Sequence, residues 1–185
     1  YYINGFGEDA VAAFTVYFRV ESMLYLPIVA FGQSIVTFAG QNYGAGNYDR
    51  IKKGAISCNV LSAAIIGALS AVLLTFGRPV LGIFCKDESV IRLGLQIIGV
   101  SFPFYFVYAI MEVTGGLVRG MGKTIQSMVI VITTLCVCRI VLLKVFVEQF
   151  HSLKMVAAVY PVTWILAMSA FILCFVSVCR KQLKG

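Results

Sequence analysis

The sequence predicts an all-α integral membrane protein, a polytopic bundle of about five transmembrane helices. Three observations predict it. Of the 185 residues, 60% are hydrophobic and 12% are charged, where a soluble domain carries roughly 25% charged residues. Mean hydropathy is +0.93. Five apolar runs, about 10–39, 55–77, 93–118, 125–147 and 155–178, reach the ~20 residues a helix needs to cross a bilayer. So little polar surface cannot cover a water-exposed globule. In lipid the backbone must satisfy itself, which leaves helices or closed barrels, and runs of this length are helices. Residues 1–185 read as a single transmembrane lobe, because no connection is long or polar enough for a soluble domain.

The opening "YYINGFG" lacks a Met, a basic leader and a cleavage pattern, so it reads as the continuation of a preceding segment. The first span of thirty residues would be about 45 Å long, longer than the ~30 Å hydrocarbon core. Pro27 lies near its middle, which predicts a kink or strong tilt. The loop "QNYGAGNYDRIKKG" at 41–54 follows. The second span carries Ala63, Gly67 and Ala71 at i, i+4 and i+8, a small-residue face suited to close helix packing. The third carries Pro103 in its outer half. The fourth and fifth are joined by "EQFHSLK", where His151, the only histidine, reads as a solvated loop residue. Tyr160 and Trp164 in the fifth span read as interfacial anchors.

Charge sets the orientation. One side of the membrane collects Arg50, Lys52, Lys53, Arg119, Lys123, Arg180, Lys181 and Lys184. The other has Arg78, Lys86, Arg92, Lys144 and Lys154, accompanied by Glu8, Asp9, Asp87, Glu88 and Glu148. The positive-inside rule puts the first group, with the C-terminus, in the cytoplasm. The net charge of +7 then faces anionic headgroups, and nucleic acid is not a partner. The six cysteines have no metal-ligand spacing and no C-x-x-C pair, so they read as small buried hydrophobes. No catalytic triad, H-E-x-x-H or carboxylate pair for hydrolysis is present, which argues against an enzyme, a metal site and an organic cofactor. "GLVRGMGKT" at 116–124 imitates a phosphate-binding loop. It fails the G-x-x-x-x-G-K-[ST] template by one residue and follows a membrane span rather than a strand.

Charges inside spans are functional candidates by default. Arg19 and Glu21 lie on the first span, Glu112 on the third and Arg139 on the fourth. At 1.5 Å per residue Glu21 and Arg139 sit about 4–6 Å to the outer side of the midplane. They share a level and pair as structural cation and acid, with Arg19 nearby. Glu112 sits about 9 Å to the inner side with no intramembrane cation at its own depth; Arg119, two turns below, is the nearest. An acid without a permanent partner is protonated or waits for a cation. Tyr105, Tyr108, Glu112, Gly116 and Arg119 fall on one helix face and read as lumen-facing. Tyr17, Glu21 and Tyr25 make a second such face. Tyrosine beside carboxylate suits an organic cation, through cation–π contact and charge.

Four pieces in order carry a family resemblance: "PIVAFGQSIVTFAGQNYGAGNYDRIKKG" at 27–54, "SFPFYFVYAIMEVTGGLVRGMGKTIQSM" at 101–128, "CRIVLL" at 138–143 and "VYPVTWILA" at 159–167. Together they resemble the MATE family, the multidrug and toxic compound extrusion transporters. The resemblance implies five helices of a six-helix lobe, the second of two, with most of that lobe's first helix and the whole N-terminal lobe lying outside the sequence. It implies export of organic, often cationic, compounds in exchange for Na⁺ or H⁺, from a bacterial plasma membrane. The resemblance gives the cytoplasmic loop motif as Gln41, Asn42, Gly44, Gly46 and Arg50, with Arg119, Gly120 and Gly122 in the next cytoplasmic turn. Glu112 and Glu21 are then the cation-coupling acids, with Tyr108, Tyr105 and Tyr25 lining the substrate path. In one branch of the family the acid lies a turn earlier, where this sequence has Tyr108. Two other readings stay open: a flippase-like exporter of lipid-linked or amphipathic molecules, and a non-transporting membrane remnant.

Overall fold

The computed structural model describes residues 2–150 and 152–182. The expectations for His151, Lys184 and the side chains of Glu148 and Lys181 lie outside the described residues. After a 3-10 turn at Tyr2–Phe6, eight helices follow. They are α1 Glu8–Gly44, α2 Tyr48–Thr75, α3 Gly77–Phe84, α4 Glu88–Ser101, α5 Tyr105–Gly120, α6 Thr124–Val131, α7 Arg139–Phe150 and α8 Leu153–Gln182. A π-helical segment, Ile132–Cys138, joins α6 to α7. Five helical stretches are long and apolar enough to cross a membrane: α1, α2, α4 with α5, α6 through α7, and α8. No strand occurs among the described residues.

The helices run further than the apolar runs. Most of the expected 41–54 loop is helix, and only residues 45–47 separate α1 from α2. Polar side chains at a helix end reach water while the backbone continues its own hydrogen bonding, so the apolar run underestimates the helix. Gly46 makes the turn with φ 72°, a left-handed conformation that costs glycine no side-chain clash. Asn47 N–H donates to the Asn42 carbonyl at 2.8 Å. Gly44 is simply the last residue of α1. Similarly, much of 78–92 is helical, as α3 and the start of α4. Asp87 caps α4 by accepting the Ser89 N–H at 2.9 Å. Ser89 Oγ in turn donates to Asp9 Oδ2 at 2.6 Å, tying that end of α4 to the start of α1.

Pro27 and Pro103 behave differently. α1 continues through Pro27 as one helix. Pro103 breaks the third span into α4 and α5 around a 3-10 turn at Phe102–Phe104. Proline removes a backbone donor and blocks the preceding turn. At this break the buried Phe102 carbonyl accepts the Tyr105 N–H of its own turn and the Ser70 hydroxyl of α2 at 2.5 Å.

α5 is the central helix and packs against α1, α2 and α8. Ten of its sixteen residues are buried, as a helix surrounded on several sides requires. Its tightest contact is with α1. A Cβ on Gly116 would stand 2.6 Å from Ile35 Cγ2 and 2.7 Å from the Gly32 carbonyl oxygen. A Cβ on Gly120 would meet Ala39 Cβ at 2.7 Å. The i, i+4 pair Gly116 and Gly120 therefore lets two backbones touch. Gly120 serves this crossing, and the reversal after α5 falls to Gly122, with φ 75°. The second span's Ala63–Gly67–Ala71 face does not pack as predicted: a Cβ on Gly67 meets nothing within 4 Å. The buried face of α2 is Ile51, Ala55, Ser62, Ile66, Ser70 and Leu73. The fourth span lies at the edge of the bundle against α8, and of its residues in α6 only Ser127 is buried.

Candidate functional site

The site lies between α1, α5, α8 and the π segment. A cavity of about 310 Å³ opens there. α1 contributes Phe18, Glu21, Ser22 and Tyr25, α5 contributes Tyr108, and α8 contributes Tyr160 and Trp164. Leu135 enters from the π segment and Arg139 from the first position of α7. The α1 residues fall at i, i+3, i+4 and i+7, one helical face. The adjoining stripe of α1, with Tyr17 and Leu24, is buried in the core. Glu21 is brought to the rim of the core rather than left in lipid.

A chain of hydroxyls holds Glu21. Tyr105, 0% exposed, donates its O–H to the Glu21 carboxylate. Tyr105 and Tyr17 hydroxyls are 3.3 Å apart. Each phenol has one proton, so Tyr17 is the donor to Tyr105. The aromatic wall is continuous. Trp164 stacks on Tyr108 at 5.1 Å and meets the edge of Tyr105 at 5.0 Å. Tyr108 stacks on Tyr25 at 6.4 Å and 15°.

Arg139 is held from the α8 side. Its Nη2 and Nε donate to Thr163 Oγ1 at 2.8 and 3.3 Å, and Thr163 passes its own proton to the Tyr160 carbonyl at 2.9 Å. The guanidinium carbon lies 4.6 Å over the Tyr160 ring, within cation–π range. The expected Glu21–Arg139 ion pair does not form: no described ion pair joins them. They share a cavity instead, because Tyr105 occupies the carboxylate and Thr163 the guanidinium. Arg19 is exposed and takes part in none of the described ion pairs, so it does not belong to the cavity.

Glu112 departs furthest from its expectation. It is not unpartnered: Arg119 Nη2 stands 2.5 Å from its Oε1. Two turns of helix separate them in sequence, but an arginine side chain spans that distance when it folds back along its own helix. Glu112 also lies over Gly32 of α1, where an added Cβ would come within 2.8 Å of its Cγ. Nor is the Tyr105–Arg119 stripe a lumen. Tyr105 and Gly116 are buried against neighbouring helices, and only Tyr108 of the five lines the cavity.

Sequence reasoning missed Trp164 and Tyr160 as site residues and read them as interfacial anchors. Trp164 is 3% exposed. The available signal was their i, i+4 spacing with Thr163 between them on one helix. Gln41 and Arg50 are exposed, and Asn42 is buried with its Nδ2 on the Phe38 carbonyl at 2.8 Å; none of them reaches the cavity. All six cysteines are free. No group of three metal-ligating side chains occurs among the described residues.

Five membrane-length helical stretches, four of them lining a cavity with both charge and aromatic walls, make a multi-pass membrane lobe. The MatE family model matches residues 1–145, and the chain belongs to that family. The family comprises transporters rather than enzymes. Among its relatives, "Probable multidrug resistance protein YoeA" of Bacillus subtilis (strain 168) is 25% identical over 130 residues, covering 70% of this chain and 28% of that protein. "Probable multidrug resistance protein NorM" of Thermotoga maritima is 27% identical over 148 residues, 78% of this chain and 31% of that protein. The chain thus spans under a third of the length of these relatives. A solved structure described as the outward-facing conformation of a MATE family multidrug resistance transporter superposes with a TM-score of 0.89 at 18% identity. It covers 97% of this chain and 40% of the other, a likeness of fold.

Proposed function

We propose that this chain is the second lobe of a secondary active antiporter in the plasma membrane, exporting organic compounds in exchange for Na⁺ or H⁺. The observation that carries the proposal is the cavity of Glu21, Tyr25, Tyr108 and Trp164. A flat aromatic cation gains from stacking and cation–π contact on such walls, and from the carboxylate beside them. A coupling cation arriving at Glu21 competes for the same negative charge, which makes the two occupancies exclusive. Rocking of this lobe against an N-terminal lobe of the same polypeptide then exposes the cavity alternately, with surrounding lipid against the apolar rim.

Glu21, rather than Glu112, is the acid offered to the cavity. Glu112 is engaged by Arg119 of the same helix and packs over Gly32 of α1. In the full-length transporter in proteoliposomes, Glu21→Gln is expected to lower ion-driven dye efflux at least about tenfold, the usual scale for losing one charged contact of ~1.4 kcal/mol. Insertion should be intact. Undiminished efflux under both Na⁺ and H⁺ gradients would remove Glu21 from the mechanism. Comparing the two gradients in the parent identifies the ion.

A further inference from the structure

A second cavity lies away from the aromatic site, a groove of about 360 Å³ between α1 and α2. Phe31, Ile35 and Phe38 wall it from α1, and Cys58 and Leu61 from α2. A missing side chain shapes its floor: a Cβ on Gly54 would collide with the Phe38 ring, so glycine lets that ring pack onto α2. Ser34 also lines the groove, but its hydroxyl donates to the Ala30 carbonyl at 2.8 Å, which leaves the wall apolar in effect. From Gly54 to Leu61 the groove follows α2 for about 10 Å, at 1.5 Å per residue. Ile56, Val60 and Leu61 beside it are exposed, so it opens toward the bilayer.

The mouth of the groove is basic. Arg50, Gly54, Ser57 and Leu61 stand at i, i+4, i+7 and i+11, one face of α2, and Lys53 lies one turn before Ser57 on that face. Arg50 and Lys53 are exposed, and neither takes part in a described ion pair. Asp49, the carboxylate beside them, is paired with Lys52 at 3.3 Å. An apolar slot inside the span therefore ends, at the membrane surface, on two uncompensated cations. Arg50 belongs to the loop motif that the aromatic cavity leaves unused.

We propose that this groove binds one anionic phospholipid, its phosphate at Arg50 and Lys53 and an acyl chain in the slot between Phe31, Phe38 and Leu61. The proposal needs only that α1 and α2 cross the bilayer and does not depend on the transport reading. The shape selects a lipid. A transmembrane helix is about 10–12 Å across with its side chains, too wide to enter a slot of this volume and length, whereas a single hydrocarbon chain enters it. The charge selects the headgroup. Basic residues between helices at the membrane surface favour anionic headgroups, and a zwitterionic one brings its own cation against the pair. The lipid belongs to the leaflet on the side of the α1–α2 turn, the cytoplasmic one by the positive-inside reading.

The test uses the full-length protein purified in detergent and two probes with the same chains, dioleoyl phosphatidylglycerol and dioleoyl phosphatidylcholine. Native mass spectrometry counts the lipids retained as each is titrated. The parent is expected to hold one phosphatidylglycerol at least about tenfold more tightly than phosphatidylcholine, the scale of two basic residues facing one anionic headgroup. Arg50→Gln combined with Lys53→Gln should bring that ratio toward one. Ser57→Trp fills the groove without touching the charges and should abolish retention of the same lipid. Leu61→Trp replaces it if Ser57→Trp lowers the thermal midpoint. Equal retention of the two lipids by the parent, or an undiminished preference in the double Gln variant, overturns the proposal. Undiminished retention in the Trp variant would show a headgroup patch on the surface with no groove site, and overturns it too. A parent that retains neither lipid saturably has the groove covered by another part of the polypeptide, which also overturns it. The transport reading stands or falls separately, on the Glu21→Gln efflux.

Discussion

Tyr105 gives its one hydroxyl proton to Glu21 and accepts the proton of Tyr17, so a single residue sets the orientation of the cavity's acid. Tyr105→Phe removes the donor to Glu21 and the Tyr105 acceptor of the Tyr17 hydroxyl. A loss of about 1–3 kcal/mol of stability is expected, measured as a lower thermal midpoint in detergent, together with weaker dye binding. Tyr105→Phe matching the parent in both would show that the hydroxyl relay is dispensable. Glu112→Gln breaks a half-buried pair and is expected to cost about 1–2 kcal/mol, read in the same melt. Residue identity, and even depth, were legible here: Glu21 and Arg139 were placed at one level from helical rise alone. Partner choice was not. Which of Tyr105, Thr163 and Arg139 reaches a carboxylate depends on the rotation of three helices about their axes, and periodicity leaves that rotation free.

At the scale of elements, the crossing of α1 and α5 is the most constrained contact. Gly116→Ala would drive a methyl to 2.7 Å from a backbone carbonyl of Gly32, and neither helix can yield locally. Overpacking of this kind costs about 1–3 kcal/mol; a reduced yield of folded protein is expected. Gly67→Ala, on an open face, should be neutral in the same assay, although its i, i+4 setting predicts a close-packing face. The α4 cap adds a pH dependence outside the spans. Ser89 N–H donation holds the Asp87 carboxyl below its ordinary value. Its contribution to stability is therefore full above the unfolded carboxylate pKa of about 3.9 and is lost as pH falls through the lower folded value. Asp87→Asn keeps a capping oxygen and should flatten that acid-side slope in a melt series. An unchanged slope would mean that Asp87 does not contribute to it.

At the scale of the whole molecule, the described turns divide into two sets. The positive-inside reading puts residues 45–47 and 121–123 in the cytoplasm and 85–87 outside. In a cysteine-free full-length transporter, Asn47→Cys and Lys86→Cys should be labelled by a membrane-impermeant maleimide from opposite sides, with Asn47→Cys protected in intact cells. Labelling of both from one side would break the five-span topology. Much of the apolar outer surface, such as Ile125, Met128 and Val141 on the fourth span, faces away from the core, as lipid exposure requires.

Composition and run length alone determined that the chain is helical, that it spans a membrane five times and which residues in it are electrostatically expensive. These follow from transfer energies, which each residue carries wherever it sits. The family signature added the lobe. Only the tertiary structure decided that Trp164 walls a cavity instead of anchoring in the interface, that Glu112 is already paired with Arg119, and that Thr163 and Tyr160 hold Arg139 at the cavity beside a π segment. Those outcomes depend on helix rotation, on crossing angle and on one irregular turn. A hydrophobic pattern specifies none of the three in lipid, where an apolar side chain is satisfied equally well facing a neighbour or facing the bilayer.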